Sequence, residues 1–487
     1  MKRIVFKPFD YQDRMVPWLR DKPQSALFAS PGLGKSVCTL KAYDDLMTDG
    51  DVKGLLIVAP LRVCSITWPN EVGKWAFAEW MTIANMRTEE GIRHWQNGTA
   101  DIYVINFEQL SSRDVTRVCS ACKNKRPARG KCKQCRHKGF ITKHYPGFTE
   151  KFLKGKEKKD LPVDALVIDE LSLAKNPSSK RLKAIRAYRE LFHTFHGLTG
   201  TPVPNTYMDI WAQIRMLDAG RRLGKVFTHF KNKYFYPLDT RGYKWAMRKG
   251  AKKAIQDAIS DICLVMLSDD YLDVPQTAAI DIDITLPKKA FDQYNELKKE
   301  LLLELAKGDI EALNAAVLTG KLLQITGGAA YDDERKVHKL HDAKVKAAVK
   351  LRKQHGSEPI LILTAFKHES ARLLEAIPGS RMFDENDMDE WREGKIHTWI
   401  ADPRSLSHGI DGIQDSCRIA IWFTLTYSNE AYIQTNARII RTGQSYETII
   451  YRLLCPGTVD DAVAEALREK GGTQSGLLQA LKNLQML

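Results

Sequence analysis

Two α/β lobes, each a parallel sheet with helices on both faces, are what the sequence predicts for this 487-residue chain. Three observations predict them. Short continuous apolar runs recur in two groups, helix-patterned segments separate most of them, and polar or Gly/Pro clusters follow the runs directly. A run that is apolar at every position suits a strand buried on both faces, whereas a half-buried strand alternates. Alternation of strands with helices then gives doubly wound lobes, which bind ligands just beyond the C-terminal ends of their strands.

The first group contains Ala26–Ala29, Gly54–Val58, Ile102–Ile105, Ala165–Ile168 and Phe195–Thr199. The second contains Ile360–Leu363, His397–Ile400, Ile419–Trp422 and Thr448–Tyr451. Between them, residues 203–350 are rich in Leu, Lys and Ala and read as helical protrusions plus a bridge. The expected domains are therefore a first lobe over 1–268, with an insertion at 111–160 and a protrusion at 203–268; a linker, protrusion and second lobe over 269–470; and a tail over 471–487. Gly471-Gly472 is expected to turn the chain before a short amphipathic helix, Leu477–Leu487, that caps the second lobe or binds a partner.

Hydrophobic residues make up 44% and charged residues 27%, a soluble globular composition. No apolar run spans a bilayer, and the start Met1-Lys2-Arg3-Ile4-Val5 lacks a secretory signal's apolar segment, so a cytoplasmic protein is expected. Of the net charge of +15, residues 111–160 carry +12, from 16 Lys or Arg against 4 Asp or Glu. That insertion reads as the main basic feature and points to a polyanionic partner, with a solvated loop as the alternative for Lys154–Lys159.

Five cysteines (38, 64, 263, 417 and 455) lie scattered, mostly in apolar runs, and read as small core residues. The other four, Cys119, Cys122, Cys132 and Cys135, form two Cys-x-x-Cys pairs nine residues apart. Such pairs deliver four thiolates to a tetrahedral Zn²⁺, and the closed shell suits a structural rather than a catalytic ion. Disulfides are the competing reading, and a reducing interior argues against them.

Ser30-Pro31-Gly32-Leu33-Gly34-Lys35-Ser36 stands between a strand-like run and a helix-like segment, the context of a phosphate-binding loop. Its glycines let backbone N–H groups curl round phosphate oxygens, Lys35 reaches the β- and γ-phosphates, and Ser36 ligates Mg²⁺. The usual first glycine of that pattern is Ala29. After the strand at 165–168 come Asp169, suited to hold Mg²⁺ through water, and Glu170, suited to orient or deprotonate the attacking water. Arg438 and Arg441 are three residues apart on one helical face and suit the charge that develops at a γ-phosphate.

The order of these pieces resembles the Swi/Snf-like branch of superfamily-two nucleic-acid-dependent ATPases, over roughly residues 5–465. Tyr11-Gln12 resembles the adenine-reading glutamine motif, and Gly32-Leu33-Gly34-Lys35-Ser36 resembles motif I. Ala59-Pro60-Leu61 with Trp68, Glu71 and Lys74-Trp75 is similar to motif Ia, and Asn106-Phe107-Glu108 to motif Ib. Asp169-Glu170 resembles motif II, with Lys175-Asn176 and Ser178-Ser179-Lys180 as in that branch; Thr199-Gly200-Thr201-Pro202 with Asn205 and Trp211 resembles motif III. Gly409-Ile410-Asp411 falls at motif V, and Gln434 to Gln444 resembles motif VI. Three departures stand out: Ser172 replaces the histidine common in motif II, Ala437 replaces a frequent aspartate in motif VI, and motif V matches mainly at Gly409 and Asp411.

The resemblance implies two tandem RecA-like lobes that bind ATP and Mg²⁺ between them, with Tyr11, Gln12, Pro31, Gly32, Leu33, Gly34, Lys35, Ser36, Gly409 and Asp411 at the nucleotide. It implies catalysis by Lys35, Asp169, Glu170, Arg438 and Arg441, and translocation on duplex DNA, in a compact layout similar to bacteriophage members. A strand-separating DNA or RNA helicase and a binding module with an inactive ATPase are the alternatives. The zinc insertion is expected to contact nucleic acid through Lys123, Lys125, Arg126, Arg129, Lys131, Lys133 and Arg136, or to dock a protein; Trp68 and Trp75 are expected to pack rather than stack on bases.

Overall fold

The computed structural model describes residues 3–119, 140–239, 245–267, 271, 277–306, 312–332, 334–406, 412–440 and 447–485. In chain order the first part supplies β1 (Gln24–Ala29), β2 (Leu55–Ala59), β3 (Ile83–Asn85) and β4 (Ile102–Asn106). The antiparallel pair β5 (Arg113–Val118) and β6 (Phe140–Tyr145) follows, then β7 (Ala165–Asp169) and β8 (Thr194–Thr199). A second small hairpin, β9 (Phe235–Pro237) and β10 (Trp245–Met247), precedes β11 (Cys263–Met266). Seven of these strands form one parallel sheet in the order β11-β1-β8-β7-β2-β4-β3.

The second part supplies β12 (Thr277–Asp283), the short hairpin β13 (Ala329–Tyr331) and β14 (Val337–Lys339), then β15 (Ile360–Leu363) and β16 (Arg381–Met382). It ends with β17 (Thr398–Ala401), β18 (Ile419–Trp422) and β19 (Thr448–Leu454). Six of them form a second parallel sheet in the order β12-β19-β18-β15-β17-β16. The α/β class and the two sheets agree with the sequence reading, and β2, β4, β8, β15, β17 and β18 are buried at every position, as sheets covered on both faces require.

Each sheet lies between two apolar layers. In the first lobe Phe28, Leu56, Tyr103 and Leu166 pack on one side and Leu27, Ile57, Val104 and Val167 on the other. In the second, Trp391 stacks on Trp399 at a centroid distance of 4.3 Å within one layer, and Ile360, Ile362 and Ile421 belong to the opposite layer. One buried polar residue in the first sheet is fully paired: His196 in β8 donates from Nε2 to the Lys22 carbonyl (2.8 Å) and accepts at Nδ1 from the Tyr43 hydroxyl (2.9 Å). Its burial lowers the imidazole pKa to about 4, so the ring is neutral.

One expectation is extended and one is corrected. The stretch 203–350, read as helical protrusions plus a bridge, also supplies a strand to each sheet: β11 extends one beside β1, and β12 the other beside β19. Both are edge strands: β11 is apolar and buried at every position, whereas β12 alternates apolar and acidic residues toward its end, so there the sheet partner decides the state. The turn at Gly471 is absent: Val459–Gln485 is one continuous helix, which packs beside β11 and the Ala251–Ile259 helix of the first lobe. Interior glycines weaken a helix by about 1 kcal/mol each, and the surrounding Ala, Leu, Glu and Lys residues favour helix.

The 111–160 insertion leaves the first lobe between β4 and β7, on a stem formed by β5 and β6. The stem closes at Val118 and Phe140, directly beside the buried Cys119. Cys122, Cys132 and Cys135, and the seven Lys and Arg residues expected to contact nucleic acid, lie outside the described residues.

Candidate active site

β1 runs out at Ala29, and Ser30 to Gly34 turn the chain into the helix Lys35–Thr48. Gly32 (φ 88°) and Gly34 (φ 80°) take left-handed conformations that side chains resist. A Cβ at Gly34 would also stand 2.4 Å from Gln12 Nε2 and push that amide aside. The Gln12 amide ties two segments to this loop: Nε2 donates to the Leu33 carbonyl at 3.3 Å, and Oε1 accepts from the Phe9 N–H at 3.1 Å. Lys35 Nζ lies 2.8 Å from the Ala29 carbonyl and 3.2 Å from that of Ser30, which holds the ammonium inside the loop.

A cavity of about 530 Å³ opens over the loop, within the range of small-molecule sites. Gln12, Pro31, Gly32, Gly34, Lys35 and Ser36 line one side, with Asp169, Glu170, Gly200 and Thr201. Gln434 and Arg438, from the second lobe, enter the lining as well. Tyr11 and Leu33 do not reach the cavity: both are buried beneath it, and Tyr11 stacks on Phe9 and leans on Tyr271. Phe6, Lys7, Phe9, Asn70 and Lys74 also line it, and of these only Lys74 belonged to a motif read from the sequence. Trp75 lines the cavity as well, edge-on to Phe6.

Asp169 ends β7 half-buried in the cavity wall. Burial, then the neighbouring Glu170, raise its pKa to about 6, against the opposing pull of Lys35 and of a hydrogen bond from Trp68. That bond runs from the Trp68 indole N–H to Asp169 Oδ2 at 3.0 Å, so Trp68 is core, as expected, and also fixes a carboxylate in the pocket. Glu170 has φ 68°, an unusual conformation for a non-glycine residue that costs about 1–3 kcal/mol. Thr199 and Ser172 both lie 2.9 Å from Glu170 Oε1, which leaves Oε2 as the oxygen available to a water. Thr201 Oγ1 is buried in the same wall with no hydrogen-bond partner among the described residues, an orphan that a phosphate oxygen would satisfy.

The second lobe reaches this wall through the helix Asn429–Ile439, capped by Ser428, whose hydroxyl accepts from the Ala431 N–H. Trp422 of β18 donates to Asn436 Oδ1 at 3.1 Å and sets the helix against its own sheet. Its N-terminal turn touches the first lobe: Glu430 Oε1 lies 2.7 Å from Ser172 Oγ, and Glu430 Oε2 lies 2.7 Å from Lys175 Nζ. Ser172 occupies the motif II position where histidine is common, and its one hydroxyl proton is shared between Glu170 and Glu430. Nothing in the sequence flagged Glu430. Arg441, Gly409 and Asp411 lie outside the described residues.

The donor set fits Mg²⁺. Ser36 and Asp169 are hard oxygen donors, and a dication would offset the desolvation of Asp169. Among the described residues no three His, Cys, Asp or Glu side chains gather to hold a metal unaided, which suits an ion that takes substrate phosphate oxygens and water as its other ligands.

Two parallel-sheet lobes, a glycine loop at one strand end and a second-lobe arginine in the same cavity define a two-lobed nucleoside triphosphatase. Residues 11–327 match the family model described as the SNF2-related domain. A putative protein, p41, of Acyrthosiphon pisum secondary endosymbiont phage 1 is 31% identical over 495 residues, covering 98% of this chain and 99% of the relative. The chain therefore belongs to the SNF2-related family and is a helicase-like hydrolase, a nucleic-acid-dependent ATPase.

Uncharacterised ATP-dependent helicases of Mycoplasma genitalium and Mycoplasma pneumoniae are each 22% identical, over 486 and 489 residues. The chain spans 41% of the length of both. Among solved structures, the Sulfolobus solfataricus SWI2/SNF2 ATPase core in complex with dsDNA aligns over 98% of this chain and 95% of its own, with a TM-score of 0.42 and 18% identity. Among the described residues no helix is long and apolar enough to cross a membrane.

Proposed function

We propose that this chain is a DNA-stimulated ATPase that translocates along duplex DNA, acting as a monomer in the cytoplasm of a bacterial host. The observation that carries the reading is the single cavity in which Lys35, Asp169 and Glu170 of one lobe meet Gln434 and Arg438 of the other. Lys35 and the loop N–H groups hold the triphosphate, and Gln12 selects the base. Ser36 and Asp169 hold Mg²⁺, which when bound neutralises the phosphate oxygens. Glu170, held through Oε1, orients the attacking water with Oε2. Arg438, joined by Arg441, stabilises the charge on the transferring phosphoryl group.

Because the two sides of the cavity belong to different lobes, nucleotide draws the lobes together and hydrolysis releases them, which moves nucleic acid held by its phosphates across both. The division into lobes at 268/269 belongs to the same reading and is supported by β11 and β12 entering different sheets. So does a structural Zn²⁺ held by Cys119, Cys122, Cys132 and Cys135 at the end of the β5–β6 stem, which presents the basic residues to the DNA backbone. Metal analysis of the purified chain tests that site, one zinc per chain against none.

The deciding measurement is ATP turnover of the wild type and Lys35→Ala, without nucleic acid and with duplex DNA, single-stranded DNA or RNA. Stimulation by duplex, abolished by the substitution, is expected. Stronger stimulation by single strands makes the protein a strand-separating helicase, and no turnover with any of them makes it a binding module; either result overturns the proposal.

A further inference from the structure

The basic character of the chain has a second seat. Residues 221–253 carry 11 Lys or Arg against one acid, a net +10. With the +12 of residues 111–160 removed as well, the rest of the chain is −7, so the chain carries two basic stretches of similar charge.

The structure turns part of this stretch into a recess. Arg221, Arg222, Lys225, His229 and Lys233 line a cavity of about 330 Å³, floored by the buried Leu223, Phe230 and Tyr234. Its frame is tied down: Arg222 pairs with Asp218 and Asp261, Arg221 bonds the side chain of Gln24, and the Trp211 indole donates to the Gly224 carbonyl at 3.1 Å. Two cations face the recess without a carboxylate, Lys233 lying 4.9 Å from the Tyr234 ring centroid. Lys225 and Lys233 are exposed, and neither has an ion-pair partner among the described residues. His229 and Lys233 stand one turn apart on the helix Phe227–Tyr234, about 6 Å along its axis, facing the same recess.

Its place in the fold separates this recess from the nucleotide pocket. Gln24 begins β1 and Asp261 just precedes β11, whereas the phosphate loop follows the other end of β1. At about 3.3 Å per residue, the six residues of β1 put roughly 20 Å between them. The recess therefore takes no phosphate of the bound nucleotide.

We infer that this recess is an auxiliary nucleic-acid site that grips the phosphate backbone of duplex DNA outside the groove between the lobes. The inference rests on the motor reading above. A rigid frame whose exposed cations have no carboxylate partner among the described residues, on an enzyme that acts on a polyanion, is the footprint of backbone binding, which carries no sequence preference. A second grip at the far end of the sheet would keep the motor on its track while the lobes open.

The test is duplex affinity across a salt series for the wild type, for Lys225→Gln/Lys233→Gln, and for the control Lys298→Gln/Lys299→Gln, which removes two exposed charges from the second lobe. Each lost phosphate contact lowers the slope of log affinity against log salt by about 0.9. The recess variant should lose a slope of roughly 1.8 and bind at least tenfold more weakly at low salt, with nucleotide affinity, DNA-free turnover and melting temperature unchanged, and with the control near wild type. Equal slopes in all three proteins overturn the inference, as does an equal loss in the control, which reports net charge alone. If the wild type binds no nucleic acid, the motor reading itself fails. Binding by the wild type that the recess substitutions leave intact removes only the auxiliary site.

Discussion

Glu430→Gln tests how the two lobes talk to each other. The native carboxylate is almost buried, with 11% of its side chain exposed, and it meets Lys175, which keeps 29% of its own. The amide retains the shape and the contact to Ser172 but loses the charge that holds Lys175. A hydrogen bond to a charged group contributes about 1.5–3 kcal/mol. Lys175 regains some water when released, so roughly 1–2 kcal/mol is expected, a factor of 5–30 in the balance between touching and parted lobes. Because Arg438 rides the same helix, ATP must then bind from a rarer arrangement, and its apparent Kd should rise by the same factor. Single-molecule energy transfer between dyes on the two lobes reads the equilibrium, and a double-mutant cycle with Lys175→Gln isolates the pair. An unchanged distance distribution, or strictly additive effects in the cycle, would refute the idea that this pair links the lobes.

Trp68→Phe keeps an aromatic ring in the core but removes the indole N–H that holds Asp169, a loss of about 1.5–3 kcal/mol to the charged carboxylate. Half-saturation by Mg²⁺, followed by fluorescent nucleotide binding, should rise about 10–100-fold while metal-free nucleotide affinity holds; a shift under twofold would show that the indole does not position the metal ligand. His196 predicts an acid limit for the first lobe. Its folded pKa of about 4 lies below the ordinary value of 6.5, so its contribution is complete above pH 6.5 and is lost as pH falls toward 4. That depression corresponds to about 3 kcal/mol, and the melting temperature of His196→Gln should fall less steeply over this window than that of the wild type. Parallel pH profiles would contradict this assignment.

The strands legible in the sequence were those whose burial leaves no choice. Leu55–Ala59, Ile102–Asn106 and Ile360–Leu363 are apolar or nearly so because both faces of a parallel sheet are dry. Cys263–Met266 carries the same apolar signature, but a short apolar run following the Ala251–Ile259 helix also suits a buried helical segment; Thr277–Asp283 was missed because a sheet edge asks less of its residues, and Gly471 misled because local propensity yields to the surrounding helix. The phosphate loop was legible for a different reason. Its glycines answer to backbone geometry within seven residues, and that requirement is local.

The sequence by itself determined what depends on neighbours along the chain: the loop at 30–36, the acids at 169 and 170, the helical face of Arg438, and the two groups of buried strands. Tertiary structure alone decided which distant residues share a space. It set Trp68 on Asp169 across 101 positions, Glu430 on Ser172 across 258, Arg438 into the wall opposite Lys35, and Arg222 on Asp261 beneath the sheet. Those contacts rest on the order of strands in the sheets and on the meeting of two lobes, which no local pattern encodes, because a side chain carries its chemistry in its type but finds its partner only when the backbone has packed.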